Sequence, residues 1–121
     1  MKLRALRGAI TVDANERDAI LDGTEELVRE VMSRNELASD DIVSCIFTCT
    51  ADLDAAFPAE AARRLGLSAV PLLCAKEIDV AGALPRVIRL MVHCYAEESR
   101  DPQHVYLREA VELRRDLEGA Q

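Results

Sequence analysis

The sequence predicts an α+β domain in the order β-α-β-α-β-β plus a tail, with one mixed sheet and its helices on one face. Two observations carry that expectation. An apolar run followed by a stretch with helical spacing occurs twice before Gly66, which is the pattern of two βα units. Two more apolar runs then follow with a turn between them, and they read as a hairpin-like return of the chain into the same sheet. The 121 residues suffice for a single domain, 1–121, with a substantial core.

The first strand runs from Lys2 to Val12. Asp13 is placed to cap the following helix, with Glu16 as its reciprocal partner in a capping box. Ile20, Thr24, Leu27, Val28, Val31 and Met32 recur at helical spacing, while Arg17, Asp22, Glu25, Arg29 and Glu30 fill the opposite face. Asn35 stops that helix, and Ser39-Asp40-Asp41 makes a turn. Ile42 to Thr50 is rich enough in β-branched and aromatic residues for a strand. Asp52-Leu53-Asp54 opens a loop, Pro58 suits the first turn of a helix, and Ala59 to Leu65 continues it to Gly66. Val70 to Cys74 reads as a short strand, Gly82 and Pro85 as a turn, and Arg86 to Cys94 as the last strand. A short helix is expected around Gln103 to Glu109, and the tail from about residue 110 fits no single element. Helices on one face leave the other sheet face apolar and open, and small domains commonly cover such a face by oligomerising.

Composition excludes several functions. A formal charge of −7 argues against nucleic acid and anionic membrane as partners, since both need a basic footprint. No apolar run is long enough to span a membrane, and the opening residues do not read as a signal peptide. Cys45, Cys49, Cys74 and Cys94 form no C-x-x-C, and His93 and His104 do not stand at zinc-ligand spacing from them. Reduced thiols in the cytoplasm and no metal site are therefore expected. With only Phe47, Phe57, Tyr95 and Tyr106 available, an aromatic side chain in a site is a choice from a small stock.

Two arginines interrupt apolar strands. Arg89 lies within Val87-Ile88-Arg89-Leu90-Met91-Val92, and Arg7 within Leu3-Arg4-Ala5-Leu6-Arg7-Gly8-Ala9-Ile10. A guanidinium stays charged, so burying one is costly unless an anion meets it. Strand alternation puts Arg7 with Leu3, Ala5 and Ala9, and Arg89 with Val87 and Met91, each opposite the larger aliphatics. The pair points to a pocket for a small, multiply anionic ligand; internal pairing with Asp or Glu is the plainer alternative. Leu72-Leu73-Cys74-Ala75-Lys76-Glu77 ends an apolar run with a thiol and a carboxylate, which at a strand end project toward a cleft. Neither histidine is adjacent in sequence to Cys74, so the sequence supplies no activating base for a nucleophile there. The other three cysteines read as small core residues.

Taken in order, Leu6-Arg7-Gly8-Ala9, Ala51-Asp52-Leu53 with Phe57-Pro58-Ala59, Cys74 with Glu77 and Asp79, Ile88-Arg89 with Met91, and His104-Val105-Tyr106-Leu107 with Leu113-Arg114 and Asp116-Leu117 resemble chorismate mutase. The class resembled is the small, monofunctional, trimeric one with a mixed α/β pseudo-barrel, and the resemblance runs over nearly the whole chain. It implies a unimolecular rearrangement of chorismate to prephenate on the route to Phe and Tyr, without cofactor, metal or covalent intermediate. Arg89 would donate to the ether oxygen. Arg7 would hold a carboxylate, Tyr106 would donate to that carboxylate, and Glu77 would accept from the ring hydroxyl with Cys74 close by. Phe57 and Arg63 would come from a neighbouring subunit of a homotrimer. Ala59, Leu73 and Leu113 would be further substrate contacts, and Arg114 would belong to a mobile tail closing the mouth. Three departures from the family pattern stand out: Glu60 where Lys is expected near the mouth, Leu73 where Thr is expected, and one residue fewer around Gly66-Leu67-Ser68. A carboxylate at position 60 repels a dianion, so slower capture is expected.

Other classes fit parts of the pattern. A trimeric imine or enamine deaminase would also hold a carboxylate with an interface arginine and would use Glu77 to place a water. A regulatory module would bind an amino acid or another small anion at a subunit interface.

Overall fold

The computed structural model describes residues 1–114. Its regular elements are β1 (Lys2–Thr11), α1 (Arg17–Arg34), β2 (Ile42–Cys49), α2 (Ala59–Arg64), β3 (Leu72–Lys76), β4 (Val87–Ala96) and β5 (Val105–Leu107). Single 3-10 turns occupy Ser39–Asp41 and Arg108–Ala110. The five strands form one mixed sheet in the order β3-β2-β4-β1-β5. β4 is antiparallel to both β1 and β2, whereas β3 runs parallel to β2 and β5 parallel to β1. Four strands therefore point one way and the central one points back.

This arrangement refines the expected hairpin-like return. β3 and β4 are consecutive in the chain but not neighbours; β4 inserts between the strands of the two βα units. Its sequence explains the position, because Ile88, Leu90, Val92 and Cys94 alternate along ten residues and are all buried.

Three local expectations are corrected. The segment expected as a helix over Gln103 to Glu109 is strand β5 followed by a 3-10 turn. Val105, Tyr106 and Leu107 pair with Gly8, Ala9 and Ile10 at the free edge of β1, and a ladder with a distant strand outweighs the local helical preference. The Asp13–Glu16 capping box is not formed: Glu16 is the N-cap of α1 and makes no side-chain cap hydrogen bond. Asn15 ties this entry down instead, its Oδ1 accepting from the backbone N–H groups of Asp54 and Ala55 at 3.0 and 3.1 Å. The third strand starts at Leu72 rather than Val70, whose N–H closes a turn onto Leu67.

The core lies between the sheet and its helices. Leu6 and Ile10 of β1, Cys45 and Phe47 of β2, and the β4 row above meet Ile20, Leu27, Val28 and Val31 of α1 and Ala62 of α2. Gly8 lets α1 lie close: a Cβ there would come within 3.1 Å of Leu27 Cδ1 and 3.2 Å of Val31 Cγ2. Neither α1 nor α2 covers the other sheet face. Leu3, Ile46, Leu73 and Tyr95 are exposed large hydrophobics on it.

Candidate active site

One row of side chains crosses the open face near the ends of β1, β2 and β3. In the ladder, Arg89 of β4 sits opposite Thr48 of β2 on one side and Ala9 of β1 on the other, and Ala9 in turn sits opposite Tyr106 of β5. Alternation sends all four side chains to the face away from α1 and α2. Glu77 follows β3 directly, and its N–H donates to Cys49 O at 2.8 Å, extending that ladder by one bond. The row thus reads Ala75, Thr48, Arg89, Ala9, Tyr106 across the sheet, and Glu77, two residues beyond Ala75, reaches Thr48 with its side chain. Arg7 lies two residues before Ala9 on the same face, opposite Met91. The small Ala9 between the tyrosine and the arginine leaves a hollow.

That hollow is a cavity of about 540 Å³, lined by Arg7, Glu77, Arg89, Tyr106 and Leu113 together with Gly8, Ala9, Ile46, Thr48, Leu90 and Met91. Its size suits one small molecule. Leu113 reaches it from the helical turn over residues 111–114, packing with Tyr106 and Leu84 against Ala9, Val87 and Ala110.

Arg89 and Glu77 meet here, Arg89 Nε lying 3.1 Å from Glu77 Oε1. The same oxygen accepts from Thr48 Oγ1 at 2.5 Å. Half of the Arg89 side-chain surface remains exposed against 21% for Glu77. The arginine is therefore not buried in its strand as the apolar flanks suggest; its backbone is central while its side chain faces the hollow. The ion pair approaches through Nε, and Arg89 also lines the hollow, which has room for a further anion.

Arg7 is fixed through its backbone: its N–H donates to His104 Nδ1 at 3.0 Å, directly before the β1–β5 ladder begins. Burial pushes the His104 pKa below its usual value, and the charges of Arg7 and Arg114 push it further the same way. Asn35, expected only as a helix stop, is buried and holds the residue before His104. Its Oδ1 accepts from Gln103 N at 2.8 Å, and its Nδ2 donates to Gln103 O at 2.9 Å and Val31 O at 2.8 Å. The segment that carries Tyr106 is thus latched to the end of α1.

The remaining expected site residues lie elsewhere. Cys74 pairs with Phe47 in the β2–β3 ladder and packs, partly buried, against the core, outside the cavity. Leu73 is exposed on the open face of β3, beyond the cavity's edge. Phe57, 72% exposed, precedes α2, Ala59 is buried at the start of that helix, and Arg63 is exposed on it. None of the three lines the cavity of its own chain. Arg114 is exposed at the end of the described residues, and Asp116 and Leu117 lie outside them. Glu60 does not stand alone: Arg17 Nη2 is 2.6 Å from its Oε1 and holds its carboxyl below the usual range. The repulsion expected from position 60 is thus offset within the chain.

The sequence pointed to Arg7, Glu77, Arg89 and Tyr106 but not to Thr48 or Ile46. Their signal was present in β2, where Ser44, Ile46 and Thr48 alternate with the buried Cys45, Phe47 and Cys49. Burial pushes the thiol of Cys45 up to about 11 and that of Cys49 up to about 12, so both stay neutral and unreactive. Among the described residues no group of three or more His, Cys, Asp and Glu is placed to hold a metal ion. The cavity offers two fixed cations, a phenol and one carboxylate. Such a set can grip a dianion that also bears a hydroxyl.

Comparison with known proteins points the same way. A family model described as chorismate mutase type I matches residues 3–117. The chain is 49% identical over 121 residues to the chorismate mutase AroH of Thermus thermophilus, covering 98% of this chain and 99% of that one. It is 39% identical over 119 residues to the chorismate mutase AroH of Bacillus subtilis, covering 97% of this chain and 94% of that one. A solved chorismate mutase from Clostridium thermocellum superposes with a TM-score of 0.87 at 47% identity, covering 90% of this chain and 98% of that one.

Proposed function

The chain belongs to the chorismate mutase type I family, and on that premise we propose how its cavity turns chorismate into prephenate. The overall activity is that of an isomerase of aromatic amino-acid biosynthesis. In the reaction a C–O bond of the substrate's ether breaks while a C–C bond forms within the same molecule. No atom is gained or lost, so no nucleophile, proton donor or cofactor enters the proposal. Two contributions remain: holding the reacting ends together, and stabilising the negative charge that grows on the ether oxygen.

Arg89 supplies the second. Its terminal nitrogens donate to the ether oxygen, and the interaction strengthens as charge builds, which favours the transition state over the bound substrate. Arg7, two residues before Ala9, and Tyr106, across the ladder from it, hold one carboxylate and fix the flexible side chain over the ring. Glu77 accepts from the ring hydroxyl with the oxygen that Arg89 and Thr48 leave available. Leu113 packs over the ring from the side, and Arg114 closes the mouth. Cys74 enters only as part of the strand that carries Glu77 to the cavity's edge. The observation that carries this reading is the Arg89–Glu77 ion pair beside an open hollow of substrate size.

Phe57 and Arg63 complete the cavity of a neighbouring copy in a homotrimer, with Ala59 and Leu73 at the same junction. The exposure of Phe57, Arg63 and Leu73 outside the cavity of their own chain supports this, as does the uncovered apolar sheet face. A cytoplasmic location fits the four free thiols. Purified protein should deplete chorismate, read from its ultraviolet absorbance, with nothing else added. R89A and R63A should each abolish that loss with the fold intact. A co-assembled mixture of the two should regain activity, because an R63A copy supplies Arg89 and an R89A copy supplies Arg63 at a shared junction. A mixture as inactive as its parts would contradict the shared site, and turnover by R89A alone would contradict the role of Arg89. Identities of 49% and 39% to chorismate mutases leave the deaminase and sensor readings without support.

A further inference from the structure

We propose that Thr48 is a positioning residue for the rearrangement, its hydroxyl holding the Glu77 carboxylate in the single-point pairing that keeps Arg89 available to substrate. This rests on the reading above, in which Glu77 and Arg89 both face chorismate.

Glu77 is weakly held by its own backbone. It lies just past the end of β3, an edge strand with one neighbour, and its backbone is tied to the sheet through the N–H bond to Cys49. The next residue, Ile78, is 85% exposed. The side chain therefore needs another anchor to keep one orientation. Thr48 provides it at 2.5 Å, from the ladder position directly opposite Arg89.

The chemistry of the anchor matters. A carboxylate beside a guanidinium prefers the two-point, parallel pairing in which both oxygens take N–H groups. In that arrangement Glu77 would occupy a terminal nitrogen of Arg89 and lose the oxygen meant for a ring hydroxyl. Here Thr48 Oγ1 and Arg89 Nε both address Oε1. Oε2 is left for substrate, and Arg89 is left with its outer nitrogens. Being neutral, the threonine does this without adding a cation that would weaken the carboxylate's hold on Nε. Its hydroxyl does not touch the breaking bond, so it acts through Glu77.

T48V keeps the shape and the strand preference while deleting the donor, and T48S keeps the donor while deleting the methyl. The expected result is a kcat/KM for chorismate roughly tenfold lower in T48V, the scale of one net hydrogen bond. T48S should stay within about twofold of the parent, and thermal midpoints should be unchanged. Adding T48V to E77A should cost nothing further, and a crystal structure of T48V should show Glu77 gripping Arg89 with both oxygens. Parent-like kinetics in T48V, an equal loss in T48S, or an equal loss with and without Glu77 would overturn the proposal. Full activity in E77A would instead overturn the role of Glu77 on which it rests.

Discussion

The two faces of the sheet are built from the same strands and differ in nearly everything else. On the helix face, Leu6, Ile10, Phe47, Ile88 and Leu90 are all but inaccessible and packed against α1 and α2. On the other face, one residue away along each strand, Arg7, Thr48, Arg89 and Tyr106 surround a hollow and remain partly exposed. Most of the core packing is on the first face, and the proposed chemistry is on the second. Period-2 alternation keeps them apart, since neighbouring positions on one strand answer to different requirements. A mutation should therefore report either on folding or on turnover, according to the face it occupies.

The sharpest way to break that division is at Phe47 and its neighbours. Phe47→Ala empties a fully buried site and should cost about 3–5 kcal/mol of stability, visible as a lower thermal midpoint. Turnover per folded molecule should be nearly unchanged. A large loss of kcat in the folded fraction would show that the faces are coupled. A middle case is Asn35, on the helix side of the molecule but latched to the strand of Tyr106. Asn35→Ala strips the partners from Gln103 N and O and should cost about 1–3 kcal/mol. It should also raise KM more than it lowers kcat, because the role proposed for Tyr106 is in binding; an unchanged KM would confine Asn35 to folding.

The smallest expected effect is acid sensitivity at His104. Its pKa is lowered in the fold, so the unfolded chain takes up the proton first as pH falls below about 6.5. The neutral ring's contribution is complete above that value and is lost as pH falls through the lower folded pKa. Protonation also removes the acceptor for the Arg7 N–H. His104→Gln, which cannot titrate, should show a flatter thermal midpoint than the parent between pH 7 and 5. Parallel curves would remove His104 from the account.

Much of this division was legible in the sequence. Alternation in Leu3 to Ile10 and in Val87 to Val92 placed Arg7 and Arg89 on the face away from Leu6, Ile10, Ile88 and Leu90, as the structure has them. The spacing of α1 was equally clear, because eighteen residues give periodicity room to show. What escaped were features set by distant partners. Three residues of β5 carry no period of their own, and only the edge of β1 makes them a strand. The insertion of β4 between β1 and β2 follows from packing, not from chain order. Arg17 beside Glu60 and Thr48 beside Glu77 are 43 and 29 residues apart in the chain, so no local pattern announces them.

The central claim is electrostatic: at position 89 the charge matters, not the shape of the side chain. Replacing Arg89 by citrulline keeps size, planarity and most hydrogen-bond donors while removing the charge. The account predicts a fall in kcat of about 10²–10³-fold or more, with an unchanged fold and little change in substrate binding. Citrulline turning over chorismate at close to the arginine rate would contradict it.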